Sequence, residues 1–326
     1  MNDIEGVLSG VGWMPVSGRT QLGLSGADRA KFLHNYCTAD VKGLAVGSGV
    51  ESFLTSVQGK TLSHGFIWSD DGELEWESEP GQAERLLAHL DRYLLRDEVR
   101  LADLGPARWQ LWLLGPRAAE AMGRIGLAVP AERLRQAVTD VEGSRTWVRR
   151  YPDLIVPWLA VVGTGDRERA ELIRRLSEAG VPEVDPSTWE ILRVEAGWAR
   201  YGIDLGPDNL PQELGRNAQA ICFTKGCYLG QETVARIDAL GHVNRYLVGL
   251  WFPGAVDDGL PVAGQELTVD GRVVGQVTSV VSSPRLAARV GMGYIRRELA
   301  RPGTVVESSA GSVRVVEFPM TVEGVR

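Results

Sequence analysis

Eight consecutive residues, Lys225-Gly226-Cys227-Tyr228-Leu229-Gly230-Gln231-Glu232, gather an ammonium, a thiol, a phenol, an amide and a carboxylate, and Arg236 follows shortly after. Glycines at 226 and 230 let the backbone turn or approach a ligand closely. Lys225, with backbone N–H groups near a helix start, would lower the pKa of Cys227 and make its thiol reactive. The same residues also fit a tight turn around an inert buried cysteine. Composition leaves both readings open.

A second candidate lies upstream, in Ser187-Thr188-Trp189-Glu190-Ile191-Leu192-Arg193-Val194-Glu195-Ala196-Gly197. Ser187 and Glu190, just after Pro186, have the spacing of a capping box and predict a helix start. Helical spacing then puts Thr188, Ile191, Leu192 and Glu195 on one side, turning the Glu195 carboxylate inward. A buried carboxylate without a donor is costly. An arginine such as Arg193 or Arg200 would supply one. So would the edge of a pterin, whose 2-amino group and adjacent ring N–H form a two-pronged donor for one carboxylate.

Other chemistries find less support. His34, His64, His89 and His242 stand alone, with no HExxH or Cys-x-x-Cys partner for zinc. Cys222 and Cys227 do not supply the four thiolates usual for an iron–sulfur cluster. The pairs Gly47/Gly49, Gly163/Gly165 and Gly291/Gly293 never extend to GxGxxG, and no GxSxG or P-loop is present.

The elements that must position these residues read as mixed α and β. Strands are predicted over Gln21–Leu24, Ser52–Val57 and Trp109–Leu114, with a hairpin of Gly65–Trp68 and Glu73–Trp76 around Asp70-Asp71-Gly72. Helices are predicted over Ala27–Tyr36, Gln82–Arg96 and Arg167–Ala179, the last ended by Gly180, and another starts at Gly115-Pro116. From about Val243 the pattern changes to short β runs: Leu247–Phe252, Glu266–Val269, Arg272–Val281, Arg289–Tyr294 and Ser312–Phe318. Asp270-Gly271 is a hairpin signal there. The tail reads as a separate small β-barrel or sandwich, giving regions 1–240 and 241–326.

Of the 326 residues, 44% are apolar and 24% charged, as in an ordinary globular chain of about two domains. A formal charge of -7 argues against a protein that binds nucleic acid directly by covering phosphates. No run of about 18 apolar residues predicts a membrane span. The three cysteines and the acidic start MNDIEGVLSG fit a cytoplasmic protein without a secretory signal.

Lys-Gly-Cys-Tyr-x-Gly-Gln-Glu, here Lys225 to Glu232, followed by Arg236, resembles the signature of YgfZ-type folate-binding proteins. These belong to the superfamily of the glycine-cleavage T-protein, the aminomethyltransferases. Arg193-Val194-Glu195-Ala196-Gly197 with Tyr201-Gly202-Ile203-Asp204 is similar to the superfamily pattern around its pterin-binding glutamate. Leu22 to Val41 and Leu113 to Pro116 resemble further superfamily segments. The resemblance implies an α+β fold of three subdomains around a central opening for tetrahydrofolate, with a C-terminal barrel. It implies Glu195 as pterin ligand, with Lys225, Tyr228, Gln231, Glu232 and Arg236 at the folate site and Cys227 as a functional thiol. It also implies a role in assembling or maintaining iron–sulfur enzymes, including radical enzymes that modify tRNA, as partners.

One departure bears on activity. Aminomethyltransferases carry an Asp-Asp pair after a Gly-rich turn, and the matching stretch, Gln58 to Ile67, has Ser63 and His64 in their place. Methylene transfer needs an anionic group near the folate nitrogens, and neither serine nor neutral histidine supplies one. Glycine cleavage is therefore not expected. A folate-dependent one-carbon transferase with another substrate, using His64 or Cys227, is the alternative. A demethylase partner, as in folate domains fused to flavin oxidases, lacks the dinucleotide motif it would need.

Overall fold

A computed structural model of the protein describes residues 3–253 and 261–325. The chain runs α1 (Asp3–Ser9), β1 (Gly12–Val16), β2 (Thr20–Ser25), α2 (Arg29–His34), β3 (Gly49–Thr55), β4 (Thr61–Asp70), β5 (Glu73–Ser78) and α3 (Ala83–Asp91). It continues through β6 (Arg100–Asp103), β7 (Trp109–Leu114), α4 (Ala118–Arg124), β8 (Arg135–Val141), β9 (Ser144–Arg150), β10 (Trp158–Gly163) and α5 (Asp166–Glu178). Then follow α6 (Pro186–Ala196), α7 (Asn217–Ala220), α8 (Gln231–Leu240), β11 (Arg245–Phe252), β12 (Glu266–Val269), β13 (Arg272–Ser283), β14 (Ala288–Arg296), β15 (Val305–Ser308) and β16 (Gly311–Val316).

Two compact units result: Met1–Asp185 with Ala218–Gln231, and Pro186–Asn217 with Glu232–Arg326. The division differs from a single cut at 240 because α6 packs on β13 and β14. The first unit holds two antiparallel sheets, ordered β3-β4-β5-β2-β6 and β1-β7-β10-β9-β8. Alternation explains their outer faces. Leu22, Leu24, Leu54, Ile67, Leu74 and Trp76 bury against Phe32, Leu33, Leu86 and Leu90 of α2 and α3. Leu111, Leu113, Val148, Leu159 and Val161 do the same against α4 and α5. Each such side chain contributes about 1.5–3 kcal/mol by leaving water.

The residues of opposite parity are buried too, in a polar layer. Glu75 and Glu77 on β5 meet Arg149 of β9, whose Nη1 donates to Glu75 Oε1 and Glu77 Oε2, both at 2.8 Å. Glu77 also accepts from Tyr151 Oη at 2.7 Å, Trp68 Nε1 at 3.0 Å and Gln110 Nε2 at 3.1 Å. With both Glu77 oxygens accepting several hydrogen bonds, the carboxylates of the layer are engaged within the chain.

In the second unit, six strands close a barrel in the order β11-β14-β13-β12-β15-β16. Val248, Leu250, Phe252, Leu267, Ile295, Val313 and Val315 fill it. Asp270 and Gly271 join β12 to β13 with φ of 49° and 71°, the positive values that a two-residue hairpin turn requires. The helix expected to be capped at Ser187 starts one residue earlier. Proline suits the first helical position, where its missing N–H is not needed. Glu190 is drawn instead to Arg193 Nε at 2.7 Å and Arg200 Nη1 at 2.6 Å. Among the described residues, no helix is long and apolar enough to cross a membrane.

Candidate functional site

The segment Ala218–Gln231 is stapled onto α2, β3 and the turn that follows. Thr38 Oγ1 donates to the Ala220 carbonyl at 2.6 Å, and Cys222 N donates to the Thr38 carbonyl at 2.9 Å. Leu229 N donates to the Asn35 carbonyl at 2.8 Å, while Thr55 Oγ1 donates to the Leu229 carbonyl at 2.6 Å. Gly230 has φ of 82°, and a Cβ there would stand 2.4 Å from the Ser56 carbonyl oxygen, so only glycine fits. Gly226 has no such constraint: a Cβ there would meet nothing within 4 Å.

Lys225 is the central staple. Its Nζ donates to the carbonyls of His34, Cys37 and Ala39 at 2.6, 2.8 and 2.6 Å. Those bonds use all three ammonium hydrogens. The Tyr228 ring lies beside them, its centroid 5.0 Å from Nζ. Burial lowers the Lys225 pKa, and burial raises those of Cys37 and Tyr228. All three N–H groups of the Lys225 ammonium are thus given to main-chain carbonyls, a geometry that favours a structural role over the ligand contact expected from the sequence. Lys225 instead fixes the loop so that Cys227 is exposed, whereas Cys37 is buried and Cys222 half-buried.

Gln231 begins α8, and its Oε1 accepts from Tyr228 N at 3.3 Å. Glu232 and Arg236 lie on the exposed side of that helix. Ser63 and His64 are both buried on β4. The Ser63 hydroxyl has no hydrogen-bond partner. His64 Nε2 lies 2.8 Å from Glu51 Oε1, and its ring stacks on Phe53 with centroids 4.6 Å apart. A buried carboxylate thus stands beside His64, supplied by the neighbouring strand. Sequence reasoning missed it because Glu51 is paired in register with Phe66, one diagonal step from His64.

In the second unit, Glu195 lies inward on α6 with 1% of its surface exposed. Its Oε1 accepts from Ser283 Oγ at 2.6 Å and its Oε2 from Arg285 Nε at 2.6 Å. Arg285 Nη2 lies 2.6 Å from the same Oε2 and donates to the Met320 carbonyl at 2.7 Å. The arginine is therefore neither Arg193 nor Arg200. Arg193 Nη1 donates to Asp204 Oδ2 at 2.8 Å. Asp204 also accepts from Thr278 Oγ1 and Ser279 Oγ, each at 2.6 Å. Nothing in the Ser282-Ser283-Pro284-Arg285 turn signalled a reach back to a helix 90 residues earlier. Among the described residues, no group of three or more His, Cys, Asp or Glu could hold a metal ion.

Comparison with known proteins gives this geometry a context. Residues 245–322 match the profile of the glycine cleavage T-protein C-terminal barrel domain. Over 90% of the chain there is 26% identity to a chloroplastic protein of Arabidopsis thaliana, named provisionally as a transferase, of which 68% is covered. An aminomethyltransferase of Nostoc sp. is 29% identical over 68% of the chain and 57% of its own length. The crystal structure of glycine cleavage system aminomethyltransferase T from Bartonella henselae shares the fold. Its TM-score is 0.83 over 98% of this chain and 89% of that one, at 20% identity. The barrel region thus matches the T-protein C-terminal barrel family, and the chain as a whole is similar to aminomethyltransferases and shares their fold.

Proposed function

We propose that this chain, an aminomethyltransferase-like protein, binds tetrahydrofolate or a one-carbon derivative and supports the assembly or maintenance of iron–sulfur enzymes, including tRNA-modifying radical enzymes. It does so without glycine-cleavage transfer. Glu195 anchors the pterin edge, because it is the inward carboxylate of the segment that resembles the superfamily's pterin site. The resemblance gives Tyr228, Gln231, Glu232 and Arg236 a part in folate binding as well. The observation that carries the client role is the stapled loop, in which Lys225 holds the backbone while Cys227 stands exposed. A rigid, solvent-facing thiol suits reversible thiol chemistry or contact with a client protein. Complementation of a deletion strain tests this: the intact gene restores iron–sulfur enzyme activity, and a deletion without any such defect removes the role.

A folate-dependent one-carbon transferase is the second reading, and the Glu51–His64 pair favours it. A carboxylate 2.8 Å from the imidazole provides the negative charge that Ser63 and His64 alone lack. Turnover of a one-carbon folate with an amine other than the glycine-derived one would move this reading to first place.

A further inference from the structure

The Glu195 carboxylate is filled from within the chain. Ser283 Oγ serves one oxygen and Arg285 Nε and Nη2 serve the other. A pterin edge presents an amino group and a ring N–H on one carbon, which is chemically a guanidine fragment. The guanidinium of Arg285 offers the same fork of N–H donors. We infer that Arg285 is an internal mimic of the pterin edge, an affinity-setting residue that folate must displace from Glu195. This inference rests on the folate reading above.

The two partners differ in freedom. The Glu195 side chain is 1% exposed and carried on a helix, whereas that of Arg285 is 22% exposed. Arg285 lies in the turn between β13 and β14, where Ala287 has φ of 48°. Swinging outward, the guanidinium loses Glu195 and the Met320 carbonyl but regains water. Glu195 has no such escape. A displaced Arg285 thus leaves a buried carboxylate without its cation, and a two-pronged neutral donor is the partner that restores its hydrogen bonds. The fraction of molecules with Arg285 displaced scales the apparent affinity for folate.

The test is calorimetric titration of tetrahydrofolate into wild type and Arg285→Gln, with thermal melts of each protein alone and with folate. Glutamine retains one donor and loses the charge and the fork. The inference expects a lower melting temperature for the free variant, affinity about tenfold tighter or more, and a larger folate-induced rise in melting temperature. Should Arg285→Gln not fold, Arg285→Lys keeps the charge without the planar fork, and its affinity should also exceed that of wild type. Wild-type binding with equal or weaker affinity in the folded variant overturns the inference and makes Arg285 a structural or ligand-contacting residue. No binding by either folded protein overturns the folate reading itself, and the competition with it.

Discussion

Lys225 Nζ stands 2.8 Å from the carbonyl oxygen of Cys37, a residue 188 positions earlier in the chain, with the carbonyls of His34 and Ala39 closer still at 2.6 Å. Three oxygens aimed at one ammonium converge from the end of α2 and the stretch after it. The loop carrying Cys227 is consequently held from below by a charge that never reaches the surface.

Lys225→Met should therefore destabilise the fold by about 2–4 kcal/mol, because three carbonyls lose a charged donor and stay buried. Lys225→Arg should not rescue it, since a planar fork cannot converge on three carbonyls as an ammonium does. Urea unfolding measures both, and wild-type stability in Lys225→Met would contradict the clamp.

Glu195→Gln puts an amide donor against either Ser283 or Arg285, both already donors. A loss of about 1–3 kcal/mol in stability is expected, along with a roughly tenfold or greater loss of tetrahydrofolate affinity in the folded variant. Equal affinity by calorimetry would remove Glu195 from the folate site.

Acid stability should follow Glu75. Burial pushes its pKa up, but Arg149 and Arg108 outweigh that and hold it at about 2, against an ordinary 4.5. A depressed folded-state pKa stabilises fully above 4.5, and the contribution is lost as pH falls toward 2. Glu75→Gln should cost most at neutral pH, and its deficit should shrink progressively below pH 4.5. A pH-independent deficit in urea titrations would count against this pairing.

How much of this was legible in sequence depended on distance along the chain. The Asp70-Asp71-Gly72 hairpin and the Asp270-Gly271 turn announce themselves locally, since each needs a residue that accepts positive φ. Most barrel strands followed from their alternation. Strand β15 did not, because it spans only Val305–Ser308 and Val305 is 54% exposed. The helix read over Ala27–Tyr36 is confined to Arg29–His34, since the chain beyond must bend to present its carbonyls to Lys225. Glu73, Glu75, Glu77 and Glu79 alternate like a solvated strand face, yet Glu75 and Glu77 are buried, because Arg149 comes from a distant strand. For the same reason the partners of Lys225 and Glu195 were out of reach. Pattern reveals which side chain turns inward but not which donor meets it there.

Cys227 and Cys222 should separate in function. Cys227→Ser alters an exposed thiol and should leave stability and folate affinity within about 0.5 kcal/mol of wild type, while failing to restore iron–sulfur enzyme activity in a deletion strain. Cys222→Ser should complement fully, since Cys222 is half-buried and its Sγ lies 3.5 Å from Thr224 Oγ1. Full rescue by Cys227→Ser would leave the loop a structural or folate-lining role only.

The central claim is folate binding without glycine-cleavage transfer, and one experiment on the purified protein addresses both halves. Tetrahydrofolate is titrated calorimetrically, and the same preparation is assayed for aminomethyl transfer with the remaining glycine-cleavage components. Saturable binding with no turnover is the expected result, because Ser63 offers no charge and the nearby Glu51 carboxylate is buried and engaged with His64. Turnover comparable to an aminomethyltransferase under the same conditions, or no tetrahydrofolate binding at all, would contradict it.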